Sequence, residues 1–156
     1  MLAARKLEEV KIFDLNEERC KAFAEQMQEE LASYGAKILP AASSDECIED
    51  ADLIITVTPS PKPVFDGTKV KAGATISCVG TYEPHKHEMD PAILPRASKI
   101  ICDSKEAALS ETGDLLIPIA DGIITEDDIQ GSLGDVINCK IKGRENDDEI
   151  IVYETV

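Results

Sequence analysis

The chain has 156 residues, and its 31 acidic and 16 basic side chains give a formal net charge of -15. That length suffices for one domain with a hydrophobic core. The negative charge argues against nucleic acid and against an anionic membrane surface as partners, because both would repel the chain. No apolar stretch approaches the roughly 18–20 residues of a membrane helix. The five cysteines have no CxxC spacing, which is typical of free thiols in the cytoplasm.

Short strands alternate with helices along the chain, which is the pattern of a parallel α/β sheet. Asn16, Asp90 and Thr125 are suitable N-caps for helices, and Gly35 and Gly113 end helices. The predicted strands are residues 10–15, 36–39, 53–58, 74–79, 99–102, 115–117 and 149–154. The predicted helices are residues 1–9 (the tail of a helix), 17–34, 44–49, 91–97, 104–112, 126–131 and 134–139.

Two runs, residues 53–58 and 74–79, organise the rest of the chain. Both are rich in Ile, Val and Thr without polar alternation, which is typical of central strands buried on both faces of a parallel sheet. The first ends in the Thr-Pro-Ser-Pro segment at 58–61, and the second ends at Gly80. Ligands bind at the carboxyl ends of strands in open α/β sheets, so we expect the functional site at residues 58–60 and 80–84.

Asp14 ends the first predicted strand, where a dinucleotide-binding sheet carries the acid that hydrogen-bonds the adenosine ribose. The Gly-rich turn of such a sheet lies about 20 residues earlier, a position before Met1, and no GxGxxG occurs. We therefore expect a doubly wound, mostly parallel Rossmann-type sheet that lacks its first strand and Gly-rich turn. A carboxylate repels the 2′-phosphate of NADP and favours NAD, although Arg19 weakens this argument. The alternative role of Asp14 is an interaction with the dipole of the helix that follows it.

Several segments together resemble the ornithine cyclodeaminase and mu-crystallin family of NAD(P)-binding proteins, over nearly the whole chain. They are EEVKIFDLNEERCKAFAEQM, DADLIITVTPSPKPVFDG, VKAGATISCVGTYEPHKHEMDPAIL, SKIICDSKEAALSETGDLLIPI and LGDVINCKIKGRENDDEIIVYETV. The resemblance implies that residues 1–156 are an incomplete Rossmann domain, inserted into a dimerising and substrate-binding domain whose sequence would lie on both sides of it. It also implies a homodimeric family, and we expect this chain by itself to be inactive.

The resemblance assigns cofactor contacts to four places in the chain. They are the ribose-binding acid and its neighbours, the loop over the cofactor, the turn near the nicotinamide ribose and the segment that passes the nicotinamide. The expected NAD-binding residues are Asp14, Leu15, Asn16, Thr58, Pro59, Ser60, Val79, Gly80, Thr155 and Val156. No catalytic residue is assigned within the chain, because the carboxylate clamp and basic lysine of the family belong to the N-terminal flank, and no metal ion is expected.

The substrate is expected to be an amino acid or an imine. The main hypothesis is a cyclodeaminase that converts L-ornithine to L-proline and ammonia through hydride transfer to and from bound NAD. Cyclodeaminases of the family have the sequence GGD or GAD where this chain has Gly80, Thr81 and Tyr82. The aspartate of that sequence binds the substrate amine, and tyrosine supplies no carboxylate for it. Glu83 is the neighbouring candidate. The alternatives are a Δ1-pyrroline-2-carboxylate reductase, an alanine-type amino-acid dehydrogenase, a non-catalytic mu-crystallin-like binding protein and an inactive fragment.

Three further groups of residues have ordinary structural interpretations. His85, His87 and Glu88 have spacing that a metal site could use, but a solvated loop in which Glu88 pairs locally is favoured. Cys78 and Cys102 are expected to be small apolar residues of the core. The acidic run at 145–149 is interpreted as a solvated hairpin turn before the last strand, because it lacks the central glycine of a calcium loop.

Overall fold

The computed structural model describes residues 1–156 and divides them into two compact units, Met1–Cys47 and Ile48–Val156. The first unit contains strand β1 (Glu9–Ile12), helix α1 (Glu17–Glu30) and strand β2 (Lys37–Pro40). Helix α2 (Ser44–Ile48) crosses from one unit into the other. None of the helices is sufficiently long and apolar to span a membrane.

The first unit is a parallel strand pair with one helix. Val10 of β1 lies opposite Ile38 of β2, and α1 buries Cys20 and Ala24. The two caps predicted in this unit are confirmed: the Asn16 side chain accepts a 2.9 Å hydrogen bond from the backbone N–H of residue 19, and Gly35 has a φ of +76° after a short 3₁₀ turn. This positive φ favours glycine. Gly113 of the second unit, in contrast, does not end a helix, because it is the first residue of another one.

Residues 1–8 form turns, so the expected helix tail at residues 1–9 is wrong. The one turn there is closed by two backbone hydrogen bonds, from the N–H groups of Ala4 and Arg5 to the carbonyl of Met1. A single turn fixes several dihedral angles for few hydrogen bonds, and such a short segment does not sustain a helix in isolation.

The second unit contains five strands, three helices and three short 3₁₀ segments. The strands are β3 (Leu53–Thr56), β4 (Thr75–Cys78), β5 (Lys99–Cys102), β6 (Ile129–Ser132) and β7 (Ile151–Glu154). The helices are α3 (Lys105–Glu111), α4 (Gly113–Ala120) and α5 (Leu133–Ile137). The 3₁₀ segments are Gly67–Lys69, Pro91–Arg96 and Glu126–Asp128.

All pairs in the second sheet are parallel, and the strand order is β3-β4-β7-β5-β6. The central strand is β7, whose Val152 lies opposite both Ile76 and Ile100. Strand β3 lies at the edge of this sheet, and Ile55 and Val57 are 43% and 67% exposed. The expectation that residues 53–58 form a central strand buried on both faces is therefore wrong. Residue composition indicates a strand, but it does not give the position of that strand in the sheet.

Three other expectations about local structure are wrong. Residues 115–117 belong to α4 and not to a strand, because the Thr112 hydroxyl accepts from the backbone N–H of Asp114 and starts a helix there. Thr125 begins only a 3₁₀ turn, which β6 follows where a helix was expected to residue 131. A short apolar run cannot be assigned to helix or strand from its periodicity alone. The last strand, β7, is parallel to both neighbours, so residues 145–149 are a turn but not a hairpin.

The core of the sheet gives a first testable prediction. Ile76 is fully buried, so Ile76→Ala should lower the free energy of unfolding by about 2–5 kcal/mol, because it removes buried methyl groups and leaves a cavity. Urea denaturation followed by circular dichroism measures the change. The matched control, Ile137→Ala in α5, alters a side chain that is 72% exposed and should change stability by no more than about 0.5 kcal/mol. Equal losses in the two variants would contradict this description of the core.

Candidate cofactor and substrate site

The carboxyl ends of the parallel strands bring several predicted site residues to one edge of the second sheet. Thr58 follows β3, Val79 and Gly80 follow β4, and Thr155 follows β7. The backbone N–H of Val79 donates to the carbonyl of Thr56, and that of Thr155 donates to the carbonyl of Cys78. The hydrogen bonding between the parallel strands thus continues one residue into the loops, and it fixes the position of the first residue of each loop.

Glu88 connects two of these loops. Its side chain is fully buried, and its two carboxylate oxygens accept hydrogen bonds from the backbone N–H groups of Thr58 and Gly80. The expectation of a solvated loop in which Glu88 pairs locally is therefore wrong. The partners of the carboxylate are 30 and 8 residues away in the sequence. A buried carboxylate requires hydrogen-bond donors, and the free backbone N–H groups after β3 and β4 supply them.

Two glycines allow the loop after β4 to lie close to its neighbours. A Cβ atom added to Gly80 would lie 2.2 Å from the carbonyl oxygen of Thr58. A Cβ atom added to Gly113 would lie 2.0 Å from the carbonyl oxygen of Lys86. Glycine is required at both positions, since any larger residue would force backbone segments apart.

A second buried cluster lies beneath the loops and was missed by the sequence analysis. Cys78, Asp114 and Glu154 are fully buried, and one ligand atom from each lies within 4.8 Å of the other two. One oxygen of each carboxyl group has a donor, from the backbone N–H of Met89 to Asp114 (2.7 Å) and from the Thr112 hydroxyl to Glu154 (2.9 Å). The other oxygens, Oδ2 of Asp114 and Oε2 of Glu154, have no hydrogen-bond partner.

Burial controls the protonation of this cluster. Burial, and next the nearby Asp114 carboxyl, raise the pKa of Glu154 to about 9. Burial likewise raises the pKa of Asp114 and raises that of the Cys78 thiol well above its usual value. These three side chains could hold a metal ion, but metal binding needs the deprotonated thiolate and carboxylates. Because its pKa is about 9, Glu154 holds a proton at neutral pH.

Tyr82 and Glu83, the two substrate-side candidates, differ in their surroundings. Tyr82 is 67% exposed at the edge of the site. The Glu83 carboxylate pairs with the Lys86 ammonium at 2.5 Å and lies 3.4 Å from Nε2 of His85. The hydrogen bond from Lys86 lowers the pKa of Glu83. The one carboxylate that could replace an aspartate at position 82 is thus already paired with the Lys86 ammonium of its own loop.

Asp103 fixes the end of the chain beside β5. Its Oδ2 atom accepts a 2.6 Å hydrogen bond from the Thr155 hydroxyl and a 3.4 Å one from the backbone N–H of Val156. Its own backbone N–H donates to the carbonyl of Glu154. Asp103 orients the segment that the family resemblance places near the nicotinamide.

Asp14, Leu15 and Asn16 belong to the first unit. The Asp14 carboxylate accepts two hydrogen bonds from the Arg19 guanidinium, at 2.7 and 3.0 Å, and one from the backbone N–H of Asn16. The bond from Arg19 lowers the pKa of Asp14. The Asn16 side chain caps α1, whereas Leu15 is 95% exposed. This turn therefore presents an ionised acid beside an exposed apolar side chain.

Four acidic residues of the site were not predicted as site residues: Glu88, Asp103, Asp114 and Glu154. One of them had a signal in the sequence, since Glu154 ends an otherwise apolar strand, IVYE, and acids are rarely buried without a partner. The other three lie in loops or at a helix start, where an acid is common and exposed in most proteins.

A parallel α/β sheet with its candidate site in the loops after the carboxyl ends of the strands is the architecture of Rossmann-like domains. Residues 1–156 match the model of the ornithine cyclodeaminase/mu-crystallin family along their whole length, and the chain belongs to that family.

Curated proteins and solved structures agree with this assignment. The chain is 37% identical over 156 residues to a Δ1-pyrroline-2-carboxylate reductase of Bacillus cereus, covering 100% of this chain and 47% of the relative. The structure of Thermococcus litoralis Δ1-pyrroline-2-carboxylate reductase with NADH and L-proline superposes with a TM-score of 0.92 at 32% identity. The match covers 99% of this chain and 46% of the reductase chain. An archaeal alanine dehydrogenase dimer with bound NAD has a TM-score of 0.86 at 29% identity, with 99% and 46% covered. The chain spans about half the length of the curated relatives it matches.

The buried Glu154 predicts a pH dependence of stability. Its folded-state pKa of about 9 exceeds the ordinary 4.5, so the stability it contributes is fully present below pH 4.5 and is lost as the pH rises to about 9. The slope reaches about 1.4 kcal/mol per pH unit for one proton. Glu154→Gln keeps a neutral side chain at every pH and should flatten this decline, as measured by urea unfolding across that range.

Glu18→Gln, at an exposed position in α1, is the control for this prediction and should keep the wild-type profile. If Glu154→Gln and wild type instead lost stability in parallel as the pH rose, Glu154 would not hold a proton in the folded chain.

Proposed function

We propose that this chain is the cofactor-binding part of an NADH-dependent Δ1-pyrroline-2-carboxylate reductase. The observation that carries the proposal is the loop after β4, which presents Tyr82 to solvent and keeps the Glu83 carboxylate paired with Lys86. A cyclodeaminase acting on L-ornithine needs a carboxylate there for a substrate amine, and a cyclic imine has no such second amine. The similarity to two Δ1-pyrroline-2-carboxylate reductases supports the same function.

NADH is the proposed cofactor, held at Asp14, Leu15, Asn16, Thr58, Pro59, Ser60, Val79, Gly80, Thr155 and Val156. Exposed apolar side chains at this edge, Val57 and Val79, suit the flat face of a nicotinamide or ribose. The exposed Leu15 in the first unit similarly suits an adenine ring. Oδ2 of Asp14 accepts only one hydrogen bond, from Arg19, so it keeps an acceptor site for a ribose hydroxyl. A carboxylate at that position repels a 2′-phosphate, which supports NADH over NADPH.

The reaction reduces one carbon–nitrogen double bond. When bound, NADH supplies the hydride that the imine carbon accepts, and the ring nitrogen takes a proton, which yields L-proline and NAD⁺. Tyr82 is proposed to line the substrate side, where its phenol donates or accepts a hydrogen bond without adding a charge. That neutrality suits a substrate that itself carries a carboxylate.

An alanine-type dehydrogenase is the second candidate, supported by the similarity to the archaeal alanine dehydrogenase. Both reactions reduce a carbon–nitrogen double bond next to a carboxylate, so the loop after β4 serves either. The dimerising and substrate-binding segments of the family are proposed to flank this domain, and the homodimer is proposed with them.

The function is tested by following the absorbance of reduced nicotinamide with three substrates: Δ1-pyrroline-2-carboxylate, pyruvate with ammonia, and L-ornithine. The assay uses the longest protein that the reading frame of this chain encodes, because residues 1–156 by themselves are expected to be inactive. NADH oxidation with the imine, and L-proline as product, is the expected result. Oxidation only with pyruvate and ammonia would replace the proposal by an alanine dehydrogenase. Proline from ornithine without net NADH change would restore the cyclodeaminase hypothesis, and NADH binding without turnover would indicate a binding protein.

Tyr82 provides a mutational prediction for the same assay. Tyr82→Asp should lower kcat/KM for the imine at least about tenfold, equivalent to ~1.4 kcal/mol, because the new carboxylate repels that of the substrate. Tyr82→Phe should change kcat/KM much less. The control is Tyr34→Asp, at another exposed tyrosine, which should leave kcat/KM unchanged. A Tyr82→Asp enzyme as active as wild type would remove this residue from the substrate site.

A further inference from the structure

We propose that Glu88 is a positioning residue of the cofactor site, whose carboxylate ties the loop after β3 to the loop after β4 and so sets the distance between them. The tie itself follows from geometry. Its role in cofactor binding rests on the proposed function, because those two loops are the ones proposed to contact NADH.

Both oxygens of the carboxylate take part. Oε1 accepts from the backbone N–H of Thr58, and Oε2 accepts from the backbone N–H of Gly80 at 2.8 Å. Each donor lies two residues beyond the end of its strand, outside the pairing of the sheet. Hydrogen bonds from neutral donors to a charged acceptor are stronger than those between neutral groups. One side chain thus supplies the hydrogen-bond acceptors for a backbone N–H group of each loop.

Gly80 makes this arrangement sterically possible. A Cβ atom at Gly80 would lie 2.4 Å from the backbone nitrogen of Thr58 and 2.5 Å from Oε2 of Glu88. Both of these separations are shorter than non-bonded atoms tolerate, so a side chain at position 80 would push the two loops apart. Thr58, Gly80 and Glu88 form one unit, defined here as the loop tie.

The segment that carries Glu88 is itself fixed on both sides. The backbone N–H of Val64 donates to the carbonyl of Glu88 at 2.8 Å. The backbone N–H of the next residue, Met89, donates to Asp114 at 2.7 Å, and the Met89 side chain is fully buried. The carboxylate is therefore held in one position. Its loss would leave two N–H groups without an acceptor, and the loops would separate to reach water.

Glu88→Gln tests the loop tie, because the amide keeps one acceptor oxygen but turns an NH₂ group toward the second N–H. Asp90→Asn is the matched control. It makes the same change two residues away, in a carboxylate that also accepts from two backbone N–H groups, those of Gly67 and Ala92, at 2.9 and 3.0 Å.

Hydrogen exchange of individual amides by NMR is the first measurement, and the NADH dissociation constant and the KM and kcat for the imine are the second. In Glu88→Gln the amides of Thr58 and Gly80 should exchange at least about tenfold faster, equivalent to ~1.4 kcal/mol, while those of Ile76 and Val152 in the core keep their rates. NADH affinity should fall by a similar factor. Asp90→Asn should leave both amides and the affinity unchanged.

Four results would overturn the loop tie, the positioning role or the proposed function. Unchanged exchange at Thr58 and Gly80, or equal acceleration at every amide, would remove the loop tie. Faster exchange at those two amides with unchanged NADH affinity would remove the positioning role. If wild type binds no NADH while the two amides are protected, the proposed function fails and the loop tie stands. Should Glu88→Gln fail to fold, Glu88→Asp, whose shorter side chain reaches only one N–H, takes its place with the same measurements.

Discussion

The N–H groups at the ends of parallel strands must find acceptors wherever the strands stop, and here the acceptor for two of them is a buried carboxylate. Glu88 takes the N–H groups of Thr58 and Gly80, and Asp114 takes that of Met89 in the next layer. Buried acidic side chains therefore hold the loops after the strands in place by accepting from their backbone N–H groups. They do so in a chain that already has a net charge of -15. Charged acceptors offset their burial only because backbone donors surround them.

The acids do not all carry charge. Glu154 ends β7 beneath the segment proposed to pass the nicotinamide, and burial keeps it protonated at neutral pH by raising its pKa to about 9. Under the proposed function, an ionised carboxylate at that place would repel the carboxylate of a substrate bound beside the nicotinamide. A protonated one fills the same volume and accepts from the Thr112 hydroxyl, so a neutral acid fits the proposed chemistry better than an anion.

Strand ends and helix caps were accessible from the sequence, because they depend on local chemistry. Pro59 and Gly80 marked the two loops, and Asn16 capped α1 as predicted. The position of β3 at the sheet edge, the helix at residues 113–120 and the burial of Glu88 depend on contacts distant in the sequence. Periodicity over a few residues cannot report such contacts. Glu88 in particular stands among His and Lys in a polar loop, where solvent exposure is the ordinary outcome.

The same loop limits which substrate suits the site. An ornithine side chain brings an ammonium group that must be desolvated, which is costly without a carboxylate to receive it. Glu83 could supply a carboxylate only by losing its contacts with Lys86 and His85. The Lys86 ammonium would then be left without its partner, next to the ammonium group of the bound ornithine. A pyrroline ring requires neither exchange, and an exposed Tyr82 offers it a flat apolar face with a polar tip. The ion pair within the loop thus favours an imine over a diamine under the proposed function.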